Sequence, residues 1–353
     1  MSLNSAKSWL RKNPQVRTIR IAASDLNGQP RGKRVPTRFA DKVVDDGTRF
    51  PLSVLNLDIW GEDIDDSPLV FDTGDADGVL RPTERGFLPM PWLSAPTALL
   101  PIWMFHDDGR PFEGDPRHAL RRVLERYRAR GLTPVAAMEL EFFLIDDSGK
   151  TLEVPISPRS GKRRKAAEVM SIRALDAFDQ FFTDLYDACE AMDIPADTAI
   201  SEAGLGQFEI NLVHQDDALR AADDAWLFKM LVKGLARRHG FAASFMAKPY
   251  EDYPGSGLHV HFPCSTATGA IFSTMAARAV AMRCAMRWRA AWTRCMTACS
   301  SLPPTPTAMT VWCRETMRRQ AFAGPMKTAQ PPFAFHRVRR APAGSSTAWR
   351  AAM

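Results

Sequence analysis

The sequence predicts an α+β protein in three parts: a small β-rich domain over 15–105, a larger α/β domain over 115–262, and a tail over 263–353 of different character. Three observations carry this. Prolines and glycines crowd residues 64–100, with Pro68, Gly74, Gly78, Pro82, Gly86, Pro89, Pro91 and Pro96, a loop-rich stretch late in the first domain. Asp115-Pro116 then starts a helical pattern. Finally, residues 264–353 hold 13 basic residues against one acid, Glu315, whereas residues 1–263 hold 33 basic and 39 acidic residues.

The elements follow in order. "VRTIRIAASDLNGQPRGKRVP" (16–36) alternates as a strand does, turns at Asn27-Gly28 and continues as a polar strand. "FPLSVLNLDIWGED" (50–63) reads as a further strand ending in acids, and "ALLPIWMFHDDGRPFEGDP" (98–116) closes the first domain. Leu120, Val123, Leu124 and Tyr127 have helical spacing after Pro116. "TPVAAMELEFFLID" (133–146) is a buried strand carrying acids, and a helix follows at about 172–192. "PADTAISEAGLGQFEINLVH" (195–214) reads as strand, glycine turn at Gly204–Gly206, and strand. Residues 216–240 form an amphipathic helix stopped by Gly240, and residues 241–262 are strand, turn and strand.

Composition excludes some functions. The overall charge of +6 would suggest an anionic partner, but it comes from the tail alone. The tail's aromatics show no stacking pattern, so no nucleic-acid partner is expected. No apolar run of about 18 residues occurs, so no membrane partner is expected. "MSLNSAKSWLRKNPQ" lacks the apolar segment of a signal peptide, which points to a cytoplasmic protein. Cys295 and Cys299 are four apart but have no second pair, which argues against structural zinc.

The chemistry sits on the strands. Glu139 and Glu141 are two apart and share a strand face; so do His259 and His261. Glu202 and Glu209 flank the glycine turn, which can fold them towards one another. Each feature alone has a plainer reading, an exposed face or a structural histidine. Together they make an oxygen-rich site with one nitrogen, suited to Mg²⁺ or Mn²⁺ more than to zinc. Two or more such ions suit phosphoryl transfer, because they neutralise charge on phosphate oxygens.

The stretches "DLNGQPRGKRVP", "DDGRPFEGDPRHALRRVL", "ELEFFL", "EAGLGQFEINL" and "KPYEDYPGSGLHVHF" resemble the glutamine synthetase family, in particular its branch that ligates glutamate to amines such as putrescine. The resemblance covers about 15–262. It implies an N-terminal β-grasp domain, a catalytic α/β domain with an antiparallel sheet, and ring homo-oligomers with active sites between subunits. It implies glutamate, ATP and an amine as substrates. By motif position, Glu141, Glu202 and Glu209 would hold one metal, and Glu139 and His259 the other. His261 would contact nucleotide phosphate, and Gly255 would place glutamate against backbone. Pro254 stands where many relatives that use ammonia carry Asn, which favours a larger amine.

The family continues with signatures similar to "PNANSYDRLVPG", "ENRTAAIRIP" and "ARRIEHR", none of which stands in the sequence as written. Shifting the reading frame restores them: "PPTPTAMTVWCRETMRRQ" (303–320) permits the first, "MKTAQPPFAFHRV" (326–338) the second and "APAGSSTAW" (341–349) the third. The tail therefore reads as an out-of-frame translation starting near Pro263, with a poorly ordered product and an incomplete sheet. On this reading the chain derives from an ATP-dependent glutamate–amine ligase and is inactive as written. The alternative is a non-catalytic scaffold or binding relative.

Overall fold

The computed structural model describes residues 3–149 and 151–266. The expectations for residues 267–353, including the Cys295/Cys299 pair, fall outside the described residues; the first residues of the tail, Cys264–Thr266, form a strand instead of the expected poorly ordered start.

The first sheet comprises β1 (Thr18–Ser24), β2 (Pro30–Pro36), β3 (Thr48–Pro51), β4 (Asp77–Pro82), β5 (Leu88–Pro89) and β6 (Thr97–Phe105). Its order is β2-β1-β6-β4-β3, with β5 on β6. β1 runs parallel to β6, and the other pairings are antiparallel. The β1–β2 turn is closed by Asp25, whose carboxylate accepts from Asn27 N and Gln29 N at 2.8 Å each. Gly28 takes the positive φ of 72° that the turn requires. Ile19, Ile21, Leu80, Leu100 and Met104 fill the core of this part beneath helix α2 (Ala40–Asp46). Neither α2 nor the N-terminal helix α1 (Leu3–Lys12) was visible as a pattern in the sequence.

The predicted strand at 50–63 is corrected. Only its first two residues belong to β3; Leu52–Asn56 wind into a 3₁₀ turn, and a loop follows. Leu52 and Leu55, three apart, both go into the core, a spacing the 3₁₀ turn satisfies and a strand does not. Asp58 then folds the loop back by accepting from Trp60 N at 2.8 Å and Glu62 N at 2.9 Å. The short helix α3 (Pro68–Phe71) precedes β4.

Helix α4 (Pro116–Arg128) begins at Asp115, whose buried carboxylate accepts from Arg117 N and Met104 N, both at 2.8 Å. One side chain thus caps the helix and ties it to β6. β7 (Leu132–Pro134) leads into β8 (Ala137–Ile145). The helix predicted at 172–192 is two: α5 (Ile172–Asp176) and α6 (Asp179–Ala191). Phe178 breaks the run by turning into the core against Phe208 and Phe241.

The second sheet adds β9 (Ala196–Ser201), β10 (Gln207–Leu212), β11 (Ala242–Ser244) and β12 (Leu258–His261). Its order is β11-β8-β10-β9, with β12 also on β8, and all pairings are antiparallel. A last strand, β13 (Cys264–Thr266), pairs with β7. Helix α7 (Ala218–Arg238) is capped by Asp217, which accepts from Leu219 N and Arg220 N. Leu140, Phe142 and Leu144 of β8 and Phe208 and Ile210 of β10 face α6 and α7 and form the larger core with Leu185, Leu227, Phe228 and Leu231. Burying one such side chain contributes about 1.5–3 kcal/mol. Because side chains alternate along a strand, this packing puts Glu139, Glu141 and Glu209 on the opposite face. Ala22, Leu88, Trp92 and Leu99 of the N-terminal part join the same core. Arg85 reaches across to Asp224 at 2.9 Å and to the Met192 carbonyl at 2.9 Å. No described helix is long and apolar enough to cross a membrane.

Candidate metal centre

Antiparallel register assembles the site. Glu209 lies directly opposite Glu141, and His259 directly opposite Glu139. Four residues from three strands therefore project from one face. Glu202 follows the last residue of β9, and the turn it enters is closed by hydrogen bonds from Gln207 N to the Gly204 carbonyl and from Glu202 N to the Gln207 carbonyl, both 3.0 Å.

The side chains converge accordingly. His259 Nδ1 lies 2.9 Å from Glu139 Oε2 and 3.9 Å from Glu209 Oε2. One donor atom from each of Glu139, Glu209 and His259 lies within 4.8 Å of the others. His261 Nε2 sits 3.0 Å from Glu139 Oε1, with the His214 ring 5.7 Å from its own. Burial, then the carboxylates of Glu139, Glu202 and Glu141, push Glu209 up to about 7. Burial and then Glu141 raise Glu202. Glu209 thus feels the charges of Glu139, Glu141 and Glu202 together.

Among the described residues, no Lys or Arg forms an ion pair with any of these four carboxylates; their only ion-pair partners are His259 and His261. A cluster of acids facing one another without a cation carries electrostatic strain that a divalent ion relieves. Its oxygen-rich donor set with one imidazole suits Mg²⁺ or Mn²⁺. The residues present therefore fit such ions.

Gly255 has no room for a side chain, since a Cβ there would lie 2.5 Å from the Ala247 carbonyl oxygen. The sequence reading missed Gln207, which holds the site together. Its Nε2 donates to Glu141 Oε2 at 2.8 Å and to the Gly255 carbonyl at 3.1 Å, while its Oε1 accepts from Gly204 N at 2.9 Å. Its position two residues before Glu209, on the same strand face, was the available signal. Gly257 was also missed: a Cβ there would lie 2.7 Å from Glu141 Oε1.

A profile of the glutamine synthetase catalytic domain matches residues 113–299. The chain belongs to the glutamine synthetase family. Gamma-glutamylputrescine synthetase PuuA of Escherichia coli (strain K12) is 38% identical over 258 residues, covering 72% of this chain and 54% of that protein. Glutamate–isopropylamine ligase of Pseudomonas sp. is 32% identical, covering 72% and 55%. The glutamine synthetase of Thermotoga maritima is 31% identical, covering 70% and 52%. A solved GmaS complex with ADP superposes with a TM-score of 0.62 at 29% identity, over 75% of this chain and 56% of that one. This family member thus spans about half the length of the curated relatives it matches, and the fold is that of the glutamine synthetase catalytic domain.

Proposed function

We propose that this chain carries the metal-binding part of an ATP-dependent ligase that joins glutamate to an amine, and that it is inactive as written. The observation that carries the reading is the convergence of Glu139, Glu209 and His259 beside Glu141 and Glu202, with no Lys or Arg among the described residues pairing with them. In the full reaction the glutamate γ-carboxylate oxygen attacks the γ-phosphorus of ATP, and ADP leaves. The amine nitrogen then attacks the acyl carbon, phosphate leaves, and the nitrogen gives up a proton. Bound Mg²⁺ or Mn²⁺ would supply charge neutralisation on the phosphate oxygens.

The chain's own residues do the positioning. Glu141, Glu202 and Glu209 would hold one ion, and Glu139 and His259 the other. Gln207 keeps Glu141 oriented and fixes the Gly255 carbonyl, beside which glutamate would lie. His261, now tied to Glu139, would turn to a phosphate once a cation takes up that carboxylate. The relatives named for putrescine and isopropylamine support an acceptor amine larger than ammonia. The parallel central pair β1–β6 supports a β-grasp N-terminal domain, and the family resemblance supports a ring homo-oligomer.

The proposed inactivity rests on the change of composition after Pro263 and on the family signatures that appear only in the shifted frame. The profile match continues to residue 299, so re-reading the nucleotide sequence from codon 263 onward is part of the test. The chain and a frame-restored version are compared for phosphate release with ATP, glutamate, Mg²⁺ and a panel of amines including ammonia and putrescine. Turnover only in the restored protein is expected; comparable turnover in both would refute the inactivity. No turnover in either would favour a non-catalytic scaffold.

A further inference from the structure

On the other side of the second sheet lies a cleft of ≈ 720 Å³ that the ligase chemistry does not use. Its walls are the β1–β2 hairpin and helix α7, with Trp92 and Trp226 among its lining. α7 packs on the core face of β8 and β10, so the cleft and the carboxylates lie on opposite faces of that sheet.

Each wall carries a pair of like charges at the spacing where repulsion is greatest. On the hairpin, Arg20 and Arg34 are directly opposite in the antiparallel ladder. Like charges so placed destabilise a sheet. On α7, Lys229 and Lys233 are one helical turn apart, a spacing at which like charges destabilise a helix. Among the described residues, none of the four has an ion-pair or side-chain hydrogen-bond partner. Lys229 lies 5.7 Å from its ammonium to the Phe245 ring centroid and beside the hairpin turn, where a Cβ on Gly28 would lie 3.7 Å from Nζ. The cleft's other cations are engaged elsewhere: Lys33 donates to the Arg49 carbonyl, and Arg237 pairs with Asp147. No carboxylate is among the described lining residues. Burial lowers both α7 lysines, and Lys233 further lowers Lys229, as expected of charges lacking counter-ions. Trp226 Nε1 is a buried donor without a partner.

Scattered surface lysines would face water and spread apart. Here Arg20 and Arg34, exposed, and Lys229 and Lys233, half-buried, line one cleft with an aromatic lining and, among the described residues, no carboxylate. We propose that this cleft binds a small polyanion, a molecule with two or more phosphate or carboxylate groups, bridging the arginines of the hairpin and the lysines of α7. Paired anionic groups match paired cations on facing walls, and lysine binds phosphate or carboxylate as a point charge.

The test titrates the 353-residue chain at low salt, with EDTA to keep metal from the carboxylate site, using pyrophosphate in one arm and citrate in the other. Tryptophan fluorescence and melting temperature are the readouts. Saturable binding of at least one ligand is expected, weakening with salt and at least tenfold weaker in Arg20→Gln and in the Lys229→Met/Lys233→Met double variant. The tighter arm assigns phosphate or carboxylate. The methionines keep the side-chain stems, so the ligand-free double variant should melt no lower than the parent, while losing the rise in melting temperature that the ligand gives. Absence of binding in both arms, or an equal ligand-induced rise in parent and variants, would overturn the proposal.

Discussion

Among single residues, Glu209 shows the tension in the site most clearly. It is 6% exposed and, among the described residues, interacts with three other carboxylates and no Arg or Lys. Glu209→Gln should therefore act with opposite signs on two measurements. Without metal it should raise stability in chemical denaturation, by up to roughly 1 kcal/mol after solvent screening. In calorimetric titration with Mn²⁺ it should weaken binding at least tenfold. A variant that is less stable without metal and binds Mn²⁺ normally would count against the metal assignment. Gly257 acts by shape. The Cβ of Gly257→Ala would press on Glu141 Oε1 at 2.7 Å and displace the carboxylate that Gln207 orients. A loss of Mn²⁺ affinity of about tenfold is expected with little change in melting temperature, since the neighbouring strand residues Leu258 and His259 are exposed.

At the scale of elements, one acid joins a helix to a sheet. Asp115 satisfies the first turn of α4 and the β6 backbone at Met104. A lost N-cap usually costs about 0.5–2 kcal/mol, and leaving the buried Met104 N–H without an acceptor costs a further 1–3 kcal/mol. Asp115→Ala should therefore lower unfolding free energy by roughly 2–4 kcal/mol in urea titration. Asp115→Asn should recover part of this, because its amide oxygen can still accept one of the two bonds. A loss under 1 kcal/mol for the alanine variant would show that the cap is dispensable.

Across the whole molecule, the junction between the N-terminal sheet and α7 sets a pH response. Asp223 on α7 pairs with Arg117 of α4 at 3.0 Å, and Arg117 also reaches Glu84 at 2.7 Å. Burial, outweighing the guanidinium, pushes Asp223 up to about 6 from 3.8. A carboxyl raised on folding binds its proton more tightly in the native state. Its contribution is full below about pH 4 and is lost as pH rises through about 6. The amount is about 3 kcal/mol at most. Asp223→Asn removes this titration, so urea denaturation from pH 4 to 7 should show the parent losing stability relative to the variant. A constant difference across that range would mean that the ion pair fully offsets the burial.

Local pattern determined much of this protein. Alternation marked β1, an apolar run carrying acids marked β8, the glycine turn marked the β9–β10 connection, Asp115-Pro116 marked the start of α4, and two-residue spacing placed Glu139 with Glu141 and His259 with His261 on common faces. The stretches "ELEFFL", "EAGLGQFEINL" and "KPYEDYPGSGLHVHF" were among those that pointed to the family, and they hold the candidate metal ligands. Tertiary structure decided the rest. Register set Glu209 against Glu141 and His259 against Glu139, pairings between residues 50 or more positions apart that no local spacing encodes. Core packing turned Leu52–Asn56 into a 3₁₀ turn and broke the helix at Phe178, because burial of particular side chains outweighed strand and helix propensity. Gln207 looked like any polar strand residue until the chain brought Glu141, Gly204 and Gly255 to it. The four cations of the cleft lie on a hairpin and a helix about 200 residues apart, and only the fold brings the two like-charged pairs to one cleft.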